Sequence, residues 1–141
     1  MTTPIAEFTG ETRWLSNFHP CPIIWRTLTH PSVEHAYQAA KFISLDIRMQ
    51  FTTGTPGQAK RLGRTFKVRD NWQSVKLDIM HELLLQKFAI PELRDKLIAT
   101  HPAQLIEGNW WGDTYWGVSN HTGKGHNHLG RLLMQIRKEL V

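Results

Sequence analysis

The sequence has a single cysteine, Cys21, in 141 residues, and this scarcity excludes an intramolecular disulfide and a thiolate metal cluster. It also lacks an apolar run of the roughly eighteen residues that a membrane-spanning helix needs. No basic start followed by an apolar stretch marks a secretory signal. A lone thiol fits a reducing compartment. We therefore expect a cytoplasmic protein that does not enter a membrane.

Several catalytic and ligand-binding motifs are also missing. The eight histidines do not pair with a carboxylate at the spacing of a zinc protease, so we expect no metal site and no cofactor. There is no Gly-x-Ser-x-Gly nucleophile motif. The net charge of +5 favours anionic ligands such as phosphorylated metabolites, dinucleotides or nucleic acid. One basic cluster lies within residues 60–69, but no five like charges follow one another, so nucleic-acid binding is not signalled.

The apolar pattern predicts a mainly helical α+β protein, a single-domain helical bundle over residues 1–141 with a few short strands. Val75, Ile79 and Leu83 recur at helical spacing in the longest segment. Prolines mark the first turns of two other helices. The predicted helices cover about 33–44, 56–63, 71–88, 91–99 and 126–139. Residues 46–51 are predicted to form a short turn or helix, and Ile23–Trp25 is a predicted strand.

One helix face carries three side chains with chemistry. After the predicted N-cap Ser32, Glu34, Gln38 and Lys41 stand at i, i+4 and i+7, so they project from one side. The carboxylate can handle a proton or a cationic transition state, and the amine can act as a nucleophile or hold an anion. The alternative is an ordinary exposed polar face.

Two later segments are also candidates for a site. Asp113 lies in a glycine-rich stretch with Trp110, Trp111 and Trp116, where it is either a second catalytic carboxylate or the cap of a local turn. The tryptophans either line a pocket for a flat ring or fill the core. The segment 123–131 runs from a glycine-rich loop into a helix, which suits phosphate binding or simply places Asn127 as the N-cap.

Sequence blocks along the chain together resemble the NADAR (YbiA-like) family, a small, mainly helical domain. The resemblance covers roughly residues 8–140, in order and with near-uniform gaps. The matching blocks are Phe8, Leu15–Phe18, Val33–Lys41, Ala59–Arg64, Trp72, Met80, Lys87–Phe88, Leu97, Thr100, Leu105–Glu107, Asp113, Trp116–Gly117, Asn127, Leu129–Gly130, Leu132–Met134 and Arg137.

The resemblance implies an N-glycosidase, which hydrolyses the bond between the anomeric carbon of ribose and nitrogen. One branch of the family acts on phosphorylated ribosylamino-pyrimidine intermediates of riboflavin synthesis, and another removes ADP-ribose from guanine in nucleic acid. The expected partner is therefore a small phosphorylated ribosyl or nucleotide substrate, or ADP-ribosylated nucleic acid. The alternatives are a binding module for ADP-ribose or a nucleotide without turnover, and a nucleic-acid-binding accessory protein.

The resemblance also suggests roles for individual residues. Glu34 would transfer a proton and stabilise positive charge on the sugar, and Lys41 would form an imine with ring-opened ribose or hold a phosphate. Asp113 would orient sugar hydroxyls or water. We expect Glu34, Lys41, Asp113 and Trp116 to line one cavity. The predicted substrate-binding residues are Trp72 and Trp116, which would stack on the base, and Asn17, Arg64 and Asn127, which would hold sugar or phosphate oxygens.

Overall fold

Helices carry most of the regular structure, and strands are few and short, so the predicted fold class is confirmed. The computed structural model describes residues 2–141. The elements in chain order are a 3-10 helix (Gly10–Leu15), β1 (Pro20–Trp25), β2 (Leu28–Ser32), α1 (Val33–Ala40), α2 (Leu45–Met49), α3 (Pro56–Leu62), α4 (Trp72–Lys87), α5 (Pro91–Ala99), β3 (Gly108–Asn109), β4 (Val118–Ser119) and α6 (His128–Leu140).

The chain forms two compact units. One contains Asn17–Lys87, and the other contains the stretch up to Ser16 together with Phe88–Val141. The prediction of one domain over residues 1–141 stays a prediction. None of the helices within residues 2–141 is long and apolar enough to cross a membrane.

In the unit of residues 17–87, α1 packs against the β1–β2 hairpin, α3 and α4. The hairpin is antiparallel and turns at Arg26 and Thr27, which both have positive φ, as the tight turn between twisted strands requires. Alternate β1 side chains point inward, and Cys21 is one of them. All eight residues of α1 are buried as a result, because neighbours cover the helix on several sides.

In the other unit, β3 and β4 form a short parallel pair, and α5 packs against α6. The buried Arg137 guanidinium fastens α6 by donating from Nη1 to Thr100 Oγ1 at 3.0 Å and to the Ala103 carbonyl at 2.8 Å. Charge-assisted hydrogen bonds of this kind are stronger than neutral ones. They fix the closing helix against the loop that follows α5.

Local signals located most helix ends to within two residues, and the largest difference is at the end of the first helix. The long helix and the helix opening at Pro91 are confirmed, as are the N-cap Ser32 and Pro56 in a first turn. The first helix was predicted over 33–44 but ends at Ala40, with Lys41 as its C-cap. The last begins at His128 rather than 126, because Asn127 is left-handed at φ 52°.

Candidate active site

The first turn of α1 is held by a buried histidine. Ser32 Oγ accepts a hydrogen bond from the His35 backbone N–H at 3.2 Å and lies 2.7 Å from His35 Nδ1. His35 Nε2 lies 3.0 Å from the Gly54 carbonyl oxygen, which can only accept, so Nε2 carries the proton and Nδ1 accepts from the serine hydroxyl. Burial lowers the pKa of His35 and keeps the ring neutral. This ring therefore orders the helix that presents Glu34.

Glu34 is only 8% exposed, so the alternative of an exposed polar face is wrong. Its backbone N–H donates to the Asn17 carbonyl at 3.0 Å. One turn later, Gln38 Nε2 lies 3.5 Å from Glu34 Oε2. Removing a carboxylate from water is unfavourable unless donors or cations compensate, and such sites are enriched in function. The predicted shared face of Glu34 and Gln38 is thus present, and it is buried.

Lys41 lies at the C-terminal end of the same helix and is partly buried. Burial lowers the pKa of its ammonium, the nearby cations Arg64, Lys60 and Lys76 lower it further, and the Glu34 carboxylate opposes the shift. Its Nζ stands 5.6 Å from the centre of the Tyr37 ring. A lowered pKa increases the neutral fraction of the amine, which an imine requires, while the clustered positive charge also suits a phosphate.

The other predicted residues of this unit take different positions. Arg64 is exposed and directly follows Gly63, the C-cap of α3. Trp72 is 5% exposed and packs on Tyr37 with ring centres 5.1 Å apart. The Asn17 amide donates to Met80 Sδ at 3.6 Å, and its buried Oδ1 has no hydrogen-bond partner. A base-stacking role for Trp72 and an oxygen-binding role for Asn17 and Arg64 stay predictions.

The other unit contains Asp113, and its side chain is engaged in a turn. Asp113 Oδ1 accepts from the backbone N–H of Tyr115 at 3.0 Å and of Trp116 at 2.9 Å. The buried Asn109 amide bonds both the N–H and the carbonyl of Asp113, each at 2.9 Å. These contacts are those of the turn-capping alternative. A role of Asp113 in catalysis stays a prediction.

Asn127 and Trp116 are positioned by their neighbours in the same unit. The Asn127 amide accepts from the Glu107 N–H and donates to the Leu105 carbonyl, both at 3.0 Å, so it does not cap α6 through its side chain. Trp116 is half-buried and meets Tyr115 edge to face at 4.8 Å. Their substrate contacts stay predictions, as does the convergence of Asp113 and Trp116 with Glu34.

The tryptophans that follow Asn109 are not core residues. Trp110 is 60% exposed and Trp111 is 63% exposed. His121 Nε2 lies 3.1 Å from the Trp110 carbonyl, and the two rings meet edge to face at 5.0 Å. The core-filling alternative is therefore wrong for these two residues.

Sequence reasoning missed three contributors to the candidate site. Lys76 adds positive charge near Lys41, although nothing in its local sequence marks it. Lys60 belongs to the basic cluster within residues 60–69, and nothing in the spacing of that cluster predicts that Lys60 lies near Lys41. The Asn17 backbone carbonyl, rather than its side chain, holds Glu34. Within residues 2–141, no three His, Cys, Asp or Glu side chains are grouped as a metal ion would need, and the absence of a metal or cofactor stays a prediction.

Comparison with known proteins agrees with the sequence resemblance. The NADAR domain profile matches residues 7–141. N-glycosidase YbiA of Escherichia coli is 43% identical over 130 residues, which cover 89% of this chain and 80% of that protein. A maize protein named riboflavin biosynthesis protein PYRR, chloroplastic, is 37% identical over 127 residues, covering 80% of this chain but 20% of that protein.

The fold agrees as well. The NMR structure of the Escherichia coli protein YbiA superposes with a TM-score of 0.86 at 40% identity, covering 98% of this chain and 84% of that one. A profile match over nearly the whole chain, a relative above 40% identity and a shared fold point in the same direction. The chain therefore belongs to the NADAR domain family.

Proposed function

We propose that this protein cleaves the bond between the anomeric carbon of ribose and nitrogen in a phosphorylated ribosylamine or an ADP-ribosyl compound. The general class follows from the family and from relatives named N-glycosidase: the chain is a hydrolase that acts on N-glycosyl bonds. The observation that supports the substrate is the pairing of a buried carboxylate, Glu34, with Lys41 among the cations Lys60, Arg64 and Lys76.

The reaction needs a group that handles protons and positive charge. As the bond between carbon and nitrogen breaks, its electron pair leaves with the nitrogen, which takes up a proton, and positive charge builds on the sugar. A carboxylate in a site removed from water stabilises that charge strongly. Glu34 is buried and fixed by its backbone bond to Asn17, so it suits both proton transfer and charge stabilisation.

Lys41 has two candidate roles. In the covalent route, its neutral amine adds to the anomeric carbon of the ring-opened sugar, the nitrogen substituent leaves as a free amine, and water hydrolyses the resulting imine to restore Lys41. In the other route, its ammonium binds a phosphate. The lowered pKa of Lys41 favours the first role, and its three cationic neighbours also favour the second.

The phosphate is the feature of the substrate that the charges favour most directly. Three cations surround Lys41 with positive charge. Lys60 belongs to α3, Arg64 follows the C-cap of α3, and Lys76 belongs to α4. Arginine can pair with a phosphate through two parallel hydrogen bonds, while lysine acts as a point charge. The maize relative named for riboflavin biosynthesis favours ribosylamino-pyrimidine phosphates as the first compounds to test.

A mass-spectrometric screen tests the proposal. The purified protein is incubated with ribosylamino-pyrimidine phosphates, with their dephosphorylated forms and with ADP-ribosylated guanosine. We expect release of the free base or amine from a phosphorylated compound, and much slower release from its dephosphorylated form. Tight binding of ADP-ribose without release from any compound would instead favour the binding module. Affinity for unmodified nucleic acid that falls steeply with salt would favour the accessory protein.

A further inference from the structure

Gln38 lies beside the proposed catalytic carboxylate, and its side-chain carbonyl oxygen has no hydrogen-bond partner. It is 4% exposed and lies one helical turn after Glu34. Its Nε2 reaches Glu34 Oε2 at 3.5 Å, while its Oε1 is buried without a hydrogen-bond partner. A buried carbonyl oxygen without a donor is costly, so such an atom in a folded protein calls for an explanation.

The neighbouring helix leaves room for this amide. Gly63 is the C-cap of α3 and has φ −60° and ψ −18°, a conformation that any residue adopts, so the backbone does not need a glycine there. A Cβ at Gly63 would instead overlap Gln38 Oε1. The absence of a side chain at this position therefore serves the space that the Gln38 amide occupies.

An amide at this position can serve a carboxyl group in either charge state. Ionised Glu34 only accepts hydrogen bonds, and Gln38 Nε2 donates to it. Protonated Glu34 has an O–H to donate, and Gln38 Oε1, which faces Gly63 in the structure, becomes an acceptor for it when the amide group turns over. The unpartnered oxygen thus has a use at the stage of the reaction when Glu34 carries the proton. Hydrogen bonds at catalytic groups are often long before substrate binds, as this 3.5 Å contact is.

We propose that Gln38 is a positioning residue that holds the Glu34 carboxyl group in both of its protonation states, and that Gly63 preserves the space for its amide. The inference rests on the proposed function, in which Glu34 transfers a proton. It adds a residue that acts through Glu34 rather than on the substrate.

The titratable groups around Glu34 are of two kinds. Burial lowers the pKa of His35 on α1 and of His30 on β2 toward the range of a carboxyl group, so the ring titrations of both histidines are followed in the same NMR experiment. The remaining charges near the C-terminal end of α1 are cations that do not titrate where a carboxyl group does. They are Lys41, Lys60, Arg64 and Lys76, together with Arg69, which donates to the Ala40 carbonyl.

The first test measures the titration of Glu34 directly by carbon-13 NMR of its carboxyl group, so it does not depend on turnover. Gln38→Leu removes one hydrogen bond to the ionised carboxylate and one acceptor for the protonated acid. The bond to the charged form is the stronger of the two, so we expect the titration midpoint of Glu34 to move to higher pH. Gly63→Ala should move it in the same direction, because the new methyl group displaces the amide without altering α1. Gly57→Ala on the same helix is the control, since a Cβ there meets only ordinary contacts, with Arg61 Nη1 at 3.7 Å the nearest.

A double-mutant cycle shows whether Gly63 acts through Gln38. In a Gln38→Ala background, Gly63→Ala should add no further movement of the Glu34 midpoint, because the group it displaces is gone. If Gln38→Leu does not fold, Gly63→Ala decides the test, since an amide at the end of a flexible side chain can move aside. An unchanged midpoint in every folded variant overturns the proposal, and so does an equal movement in Gly57→Ala.

The second test follows turnover against pH in the same variants. We expect kcat to fall about tenfold to a hundredfold in Gln38→Leu, as for a misplaced catalytic group. The acid limb of the kcat/KM profile should move with the midpoint measured by NMR. A moved midpoint in a protein with no turnover on any substrate supports the positioning of Glu34 and counts against the proposed function. An active wild type whose profile does not change in the variants overturns the role of Gln38 alone.

Discussion

Replacing Glu34 by glutamine removes one negative charge and one proton acceptor while changing the shape of the side chain little. The side chain is 8% exposed, so the new amide stays out of water. Gln38 Nε2, 3.5 Å from Glu34 Oε2, can donate to an amide oxygen as it does to the carboxylate. The backbone bond from residue 34 to the Asn17 carbonyl is unaffected. A neutral amide is less costly to bury than a charge, so the melting temperature should stay level or rise.

The expected loss of activity is large. Proton transfer by a positioned carboxyl group contributes about a hundredfold to ten-thousandfold to a rate, and glutamine cannot perform it. Turnover in Glu34→Gln should therefore fall by about a hundredfold or more, which corresponds to roughly 3 kcal/mol or more of transition-state stabilisation. KM should change less, because the substitution keeps the size and the hydrogen-bonding capacity of the side chain.

The assay compares kcat and KM of Glu34→Gln and the wild type on the compound identified by the mass-spectrometric screen. Glu82→Gln provides a matched control, because Glu82 is an exposed carboxylate on α4 and the change is the same. The control should retain wild-type turnover. A folded Glu34→Gln protein with turnover within about threefold of wild type would refute the role of Glu34 and place catalysis elsewhere.

Three further predictions concern other buried or bonded groups. In the covalent route, borohydride added during turnover should trap a sugar adduct on Lys41, and Lys41→Arg should be inactive because guanidinium stays charged. An active Lys41→Arg protein without an adduct would leave only the phosphate role. Asp113→Asn keeps the side-chain oxygen that accepts from the backbone N–H groups of Tyr115 and Trp116, so the variant should melt like wild type. Its turnover should fall about tenfold or more if Asp113 acts in catalysis. Unchanged turnover would show that Asp113 only caps the turn. Burial lowers the pKa of Lys87 from 10.5 to about 8, so between these pH values the unfolded chain binds more protons than the folded protein. The free energy of unfolding should therefore rise by up to about 3 kcal/mol as pH increases from 8 to 10.5. Urea titrations should show a steeper slope in wild type than in Lys87→Met, which keeps only the contribution of other groups such as Lys41, and equal slopes would contradict the prediction.

Signals that lie within a few residues of one another were sufficient for most of the fold. Apolar spacing located α4, and prolines marked the first turns of α3 and α5. The hydroxyl of Ser32 predicted the start of α1, because an N-cap acts on backbone groups two or three residues away. The end of α1 was misjudged, since no glycine or proline stops the chain at Ala40. The left-handed conformation of Asn127 was not predicted either. Its amide bonds backbone groups about twenty residues away, at Leu105 and Glu107, and no local signal indicates such contacts.

The sequence alone determined which residue types share a helix face, and it placed Glu34, Gln38 and Lys41 on one side of α1 through the helical period. It did not determine that this face is buried, because its cover comes from α3, α4 and the hairpin. Tertiary structure alone brought Lys60, Arg64 and Lys76 to Lys41, and set Gly63 against Gln38. Helical periodicity is a property of the local backbone, whereas burial, charge proximity and the space around an amide depend on packing between segments distant in the chain.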